Sequence, residues 1–66
     1  MENRLIRWFT SDHLPEDLQG ISAACRKLAR DVDTNVPDSA EKTAGLRKLL
    51  EAKDCFVRAT IEGRTP

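Results

Sequence analysis

The chain has 66 residues with one Trp, two Phe and no Tyr, so it is one small domain with little bulk for a core. Its eleven basic and eleven acidic side chains cancel and are interspersed. This argues against double-stranded nucleic acid as a partner, because proteins that bind it carry a strong positive field. No apolar run approaches the roughly 18 residues of a membrane span, and Met1-Glu2-Asn3-Arg4 is not expected to open a signal peptide. A cytoplasmic location is expected.

Residues 1–13 are predicted to form an arm that holds a dense apolar cluster, Leu5-Ile6-Arg7-Trp8-Phe9, followed by polar residues. Helix one is predicted over residues 14–33. Pro15 suits a first helical turn, and the apolar residues around and after it are spaced alternately four and three apart, as in a coiled-coil seam. The seam consists of Leu14, Leu18, Ile21, Cys25, Leu28 and Val32.

Residues 33–37 interrupt this pattern, and a second helix is predicted over residues 38–62. Asp38 or Ser39 is expected to cap it, since Asp38 and Glu41 have the spacing of a capping box. Gly63 is expected to end it. A short connection between two long helices turns the second back along the first. The predicted fold is therefore all-α: an antiparallel two-helix hairpin with an N-terminal arm, in a single domain of residues 1–66.

The apolar residues of helix two cover an arc of roughly 140° on a helical wheel, which is wider than the seam of helix one. Small residues on another side, Ala52, Cys55 and Ala59, would let a further helix approach closely. A lone hairpin would leave much of this surface in water, so we expect a homo-oligomer. The arc consists of Leu46, Leu49, Leu50, Phe56, Val57 and Ile61.

Disulfides and metals are the other means by which very small chains gain stability, and neither is expected in this chain. Cys25 and Cys55 lie in helical segments without a CxxC motif, which favours packed, reduced thiols. The one histidine, His13, does not complete a zinc site with them. The sequence therefore predicts no metal and no cofactor.

Catalytic residues are also not expected. Ser11, Asp12 and His13 are consecutive, and three consecutive residues of one chain cannot adopt the geometry of a catalytic triad. The three glycines are isolated, so there is no glycine-rich phosphate loop. These patterns favour a binding protein over an enzyme.

Two basic residues of helix two are candidate ligand contacts. Lys53 falls inside the apolar arc. Either its stem covers the edge of the core while its ammonium reaches water, or it is a cation held at an interface to meet an anion. Arg58 lies beside that face, either as part of a solvated surface or as a second contact to an anion.

The arm offers a third candidate region. Trp8 and Phe9 are adjacent, so in an extended chain one is expected to pack while the other is free to stack on a ligand. Arg4 and Arg7 supply charge beside them, a composition that suits a nucleotide base and its phosphate. It equally suits a hydrophobic arm that docks on a neighbouring subunit.

Two segments carry a resemblance to known proteins. The run from Phe9 to Pro15 and the run from Pro37 to Ala59, above all Leu46-Arg47-Lys48-Leu49-Leu50-Glu51-Ala52-Lys53-Asp54, resemble small hypothetical proteins of actinobacteria and their phages. Those proteins are similar in turn to the hairpin domain of the phage anti-CBASS and anti-Thoeris sponge proteins, in hairpin pattern and size.

The resemblance implies a hairpin assembly, commonly a hexamer, that sequesters cyclic di- or trinucleotides or cyclic ADP-ribose in the cytoplasm of a bacterial host. Such proteins counter host defence without cleaving the signal, and the ligand lies between subunits. In many relatives a Tyr stands next to the His, where this chain has Ser11-Asp12, so the stacking group is either Phe9 or Trp8, or it is absent. The alternative is an oligomeric interaction module that grips a protein partner. The expected ligand-binding residues are Arg7, Trp8, Phe9, Thr10, His13, Lys53 and Arg58.

Overall fold

A computed structural model of the protein describes residues 3–9 and 16–63. Three helical elements account for most of these residues, which contain no β-strand. They are a 3-10 helix (Arg4–Phe9), α1 (Glu16–Asn35) and α2 (Ala40–Gly63). None of these helices has the length and apolarity needed to cross a membrane. The predicted start of helix one, with Leu14, lies outside the described residues.

The connection between α1 and α2 is short, and the two helices pack against each other as the predicted hairpin. Pro37 lies within it, where a residue without an amide hydrogen cannot continue a helix. Ser39 then caps α2, because its hydroxyl accepts a hydrogen bond of 3.0 Å from the backbone N–H of Lys42. Of the two predicted caps, the structure selects Ser39, and α2 ends at Gly63 as expected.

The buried face of α1 differs from the predicted seam. Leu18 and Cys25 are buried as expected, but the positions between and beyond them that face inward are Ser22 and Ala29. Ile21 and Leu28 were expected in the seam, and this prediction is wrong because both are exposed, Leu28 by 51%. The small side chains of Ser22 and Ala29 allow the 3-10 helix and α2 to approach α1 closely. Ile21 and Leu28 then point away from this buried face.

The N-terminal segment is not a free arm but a packed part of the core. The 3-10 helix places Leu5, Ile6 and Phe9 against both long helices, where they form one cluster with Cys25, Ala29 and Leu46. Phe9 has no exposed surface. Of the two adjacent aromatic residues, Phe9 is therefore the one that packs inside the chain. The short helix fills one side of the hairpin and supplies the bulk that two helices of modest apolar content lack.

Ser22 is a fully buried residue whose hydroxyl has no hydrogen-bond partner among the described residues. A buried hydroxyl without a partner loses its contacts with water and gains none in return. We therefore expect Ser22→Ala to raise the free energy of unfolding by about 1 kcal/mol. Urea denaturation monitored by circular dichroism measures this change, and a loss of stability would show that the hydroxyl has a partner.

Candidate functional site

The N-terminal end of the 3-10 helix is fastened by Asn3. Its backbone N–H donates to the Asp33 carboxylate at 3.1 Å, and its side-chain amide donates to the Thr43 hydroxyl at 3.2 Å. The side-chain oxygen of Asn3 accepts the N–H of Leu5 at 3.0 Å, which starts the helix in the manner of a helix cap. Asn3 thus joins the short helix to both long helices.

The C-terminal end of the 3-10 helix is fastened by Lys53. This residue is buried, and its ammonium donates to the backbone carbonyl oxygen of Trp8 at 3.0 Å. The same nitrogen lies 6.0 Å from the centre of the Phe9 ring and 3.5 Å from the Asp54 carboxylate. Of the two interpretations of Lys53, the one in which the ammonium reaches water is wrong, because the ammonium contacts the Trp8 carbonyl. That Lys53 meets an anion at an interface stays a prediction. Its charge stabilises the end of a helix, where unpaired carbonyls concentrate.

A second buried lysine, Lys42, was not expected from the sequence. Its ammonium contacts the Asp38 carboxylate at 2.8 Å, the Asp33 carboxylate at 3.3 Å and the Asp33 carbonyl at 2.9 Å. The hydrogen bond that Lys42 donates to the Asp38 carboxylate raises the pKa of Lys42, and the same hydrogen bond together with the charge of Lys42 lowers the pKa of Asp38. The spacing of Asp38 and Lys42, four apart at a helix start, is the signal that predicts this pair.

Lys42 and Lys53 lie on one side of α2, and both help to position the 3-10 helix. They are eleven residues apart, which is close to three helical turns, so they lie on nearly one line along the helix. Lys42 holds Asp33, which in turn holds Asn3, and Lys53 holds Trp8. The two lysines therefore define where the short helix begins and ends.

Arg7 and Trp8 remain accessible on this fastened helix. Trp8 is 55% exposed, and the guanidinium of Arg7 lies 5.2 Å from the centre of the Trp8 ring, in the range of a cation–π contact. Because the backbone carbonyl of Trp8 is held by Lys53, the indole projects from a defined position. The Trp8 indole is therefore an accessible aromatic surface held in one position, and the Arg7 guanidinium places a positive charge over it.

The expected ligand-binding residues are thus brought together only in part. Arg7, Trp8, Phe9 and Lys53 gather at one place, but Phe9 is buried and does not offer a face to a ligand within the chain. Arg58 lies about 140° round α2 from Lys53, and its guanidinium donates to the Cys55 sulfur at 3.5 Å. Thr10 and His13 lie outside the described residues.

An open apolar groove runs between the helices near their connection, with a volume of about 420 Å³. On each helix the mean direction of its residues is about 120–130° away from Asp33 or Thr43, which hold Asn3. The groove is therefore on the side of the hairpin that the 3-10 helix leaves uncovered. Its lining consists of Leu28, Val32, Val36, Ser39, Glu41, Lys42, Gly45, Leu46 and Leu49.

No protein-family model, curated protein or solved structure matches this chain.

Proposed function

We propose that this chain is a non-enzymatic binding protein that assembles with copies of itself and sequesters a cyclic nucleotide between them. The ligand is a cyclic di- or trinucleotide or cyclic ADP-ribose, taken up in the bacterial cytoplasm as phage counter-defence. The observation that carries the proposal is the exposed Arg7–Trp8 pair on a helix fastened at both ends.

The chemistry of this pair suits a nucleotide. An indole face stacks on any base with roughly 1–3 kcal/mol per base, and a guanidinium pairs with phosphate through charged hydrogen bonds. The backbone beneath both side chains is already held by Asn3 and Lys53, so little ordering is needed on binding. Pre-organisation of this kind increases affinity without new contacts.

A second subunit is needed to complete such a site. Small-molecule sites usually bury roughly 70–90% of the ligand surface, whereas Trp8 projects from the outside of a thin hairpin with principal extents of 44 × 19 × 15 Å. One chain therefore supplies one wall of the site. The exposed apolar residues of both helices, such as Leu28 and Phe56, favour assembly with further copies, one of which would supply the other wall.

The single tryptophan makes the test direct, because its fluorescence reports on Trp8 alone. Cyclic dinucleotides, cyclic trinucleotides and cyclic ADP-ribose isomers are titrated while fluorescence and melting temperature are followed. We expect one of them to quench Trp8 and to raise the melting temperature, since a ligand that binds only the folded state stabilises it. Arg7→Ala is expected to weaken binding by about tenfold to a hundredfold, the loss of a charged hydrogen bond.

Arg30→Ala is the matched control, because Arg30 is an exposed arginine that belongs to α1 and not to the 3-10 helix. It should bind as the wild type does. If no cyclic nucleotide changes either signal, the nucleotide proposal fails. If Arg7→Ala binds as tightly as Arg30→Ala, the ligand does not use the Arg7–Trp8 pair.

The second candidate is an oligomeric helical protein-interaction module without a nucleotide ligand. The uncovered apolar groove favours it, because a groove between two helices suits the apolar face of a third. This candidate predicts no response of Trp8 fluorescence to any nucleotide in the titration.

A further inference from the structure

Two features of α2 lie on the uncovered side of the hairpin. The first is the groove at Gly45, and the second is Phe56, the largest exposed apolar side chain of this helix, at 49% exposure. Eleven residues separate them, which is about three turns, so they lie within about 20° of one line and about 16 Å apart along it. An apolar projection and an apolar recess therefore share one helix face.

Nothing in the part of the chain that the structure describes requires glycine at position 45. Gly45 lies in the interior of α2, where glycine weakens a helix relative to alanine. Its φ is not positive, and a Cβ built on it would meet no atom of residues 3–9 or 16–63 within 4 Å. The missing side chain leaves the groove open to another molecule.

We infer that Phe56 of each copy enters the groove at Gly45 of the partner subunit in an antiparallel α2–α2 dimer. When two α2 helices pair about a two-fold axis midway between positions 45 and 56, both rings meet both grooves at once. Such a contact is isologous, and it fills both grooves with both rings at once. Leu28 and Val36, which line the groove and are exposed, pack against the incoming ring.

The available area matches what a dimer needs. The broad face of the hairpin, 44 × 19 Å between Cα atoms, offers about 800 Å², and each partner in a standard interface contributes about that area. Ile21, seven residues before Leu28, extends the apolar surface along α1. The chain has no net charge at neutral pH, so no net repulsion opposes the approach of a second copy.

This inference rests on the self-association proposed above and identifies the surface that mediates it. The Arg7–Trp8 pair is carried by the 3-10 helix on the other side of the hairpin. The α2–α2 contact is therefore distinct from the contact that completes the nucleotide site. The first is followed by the mass of the unliganded protein and the second by Trp8 fluorescence.

The test measures mass by light scattering and sedimentation over a concentration series. The wild type should be larger than its 7.4 kDa chain. Gly45→Leu fills the groove and should give a folded monomer. Because glycine weakens a helix, replacing it should not by itself lower the melting temperature. Phe56→Ala removes the ring and should weaken the dimer at least about thirtyfold, as loss of a central anchor does.

Gly20→Ala and Ile61→Ala are the matched controls on other faces, and both should assemble like the wild type.

Mixing the two variants gives the decisive result. Gly45→Leu keeps its ring and Phe56→Ala keeps its groove, so a heterodimer joins one intact ring to one intact groove. At the other contact, the introduced leucine faces the introduced alanine, which leaves room for it. An equimolar mixture should therefore regain a dimer that neither variant forms alone at that concentration.

Two outcomes would overturn the inference. If Gly45→Leu and Phe56→Ala each assemble like the wild type, self-association uses another surface and this inference is wrong. If the wild type is a monomer throughout, both this inference and the proposed assembly are wrong.

Discussion

Phe9→Ala is expected to unfold most of the protein at room temperature. Phe9 is fully buried between the two long helices, and truncating a buried phenylalanine costs about 3–5 kcal/mol. A chain of 66 residues rarely has more than about 3–5 kcal/mol of stability from a single core. The loss is therefore comparable to the whole stability, and circular dichroism should show reduced helix content and a broad or absent thermal transition.

The neighbouring aromatic provides the control for this experiment. Trp8→Ala removes a larger ring, but one that is more than half exposed, so its helix content and melting should stay close to those of the wild type. If Phe9→Ala melts like Trp8→Ala, docking of the 3-10 helix does not stabilise the hairpin.

Lys53→Met is expected to loosen the C-terminal end of the 3-10 helix while the Phe9 ring stays packed and α1 and α2 persist. Methionine keeps most of the apolar stem but removes the ammonium that donates a hydrogen bond to the Trp8 carbonyl. Losing a charged donor to a backbone carbonyl costs roughly 1.5–3 kcal/mol. Hydrogen exchange of the amides of residues 5–9 should accelerate about tenfold or more, and the emission of Trp8 should change with its surroundings.

Lys48→Met is the matched substitution, because Lys48 is an exposed lysine of the same helix. It should leave both the exchange rates and the emission of Trp8 unchanged. Equal protection of residues 5–9 in Lys53→Met and the wild type would show that the ammonium does not hold the short helix.

The two long helices could be predicted from the sequence because each depends on signals within a few residues. Pro37, Ser39 and Gly63 mark the boundaries through local chemistry, namely a missing donor, a side-chain acceptor and a helix-ending glycine. The orientation of α1 about its axis could not be predicted in this way. A seam chosen by hydrophobic size includes Ile21 and Leu28, whereas close helix packing selects the smaller Ser22 and Ala29.

The candidate site was predictable only in its composition. Lys53 was placed correctly in the apolar arc, but its partner is a backbone carbonyl 45 positions earlier, and every residue carries such a carbonyl. The docking of Asn3 depends in the same way on Asp33 and Thr43, thirty and forty positions away. Contacts to such distant groups leave no periodicity in the sequence, so the burial of Phe9 could not be inferred from residues 1–13.

The 3-10 helix can also be regarded as a peptide bound to its own receptor. Only six residues, 10–15, join Phe9 to α1, and a short tether of this kind holds a bound segment at an effective concentration on the order of millimolar. A contact too weak to keep a separate peptide in place at cellular concentrations is then still occupied most of the time. The docked state is therefore governed by tether length as well as by affinity. Inserting residues between Phe9 and α1 would lower the fraction of molecules in which the 3-10 helix is docked, although the docked contact itself would stay the same.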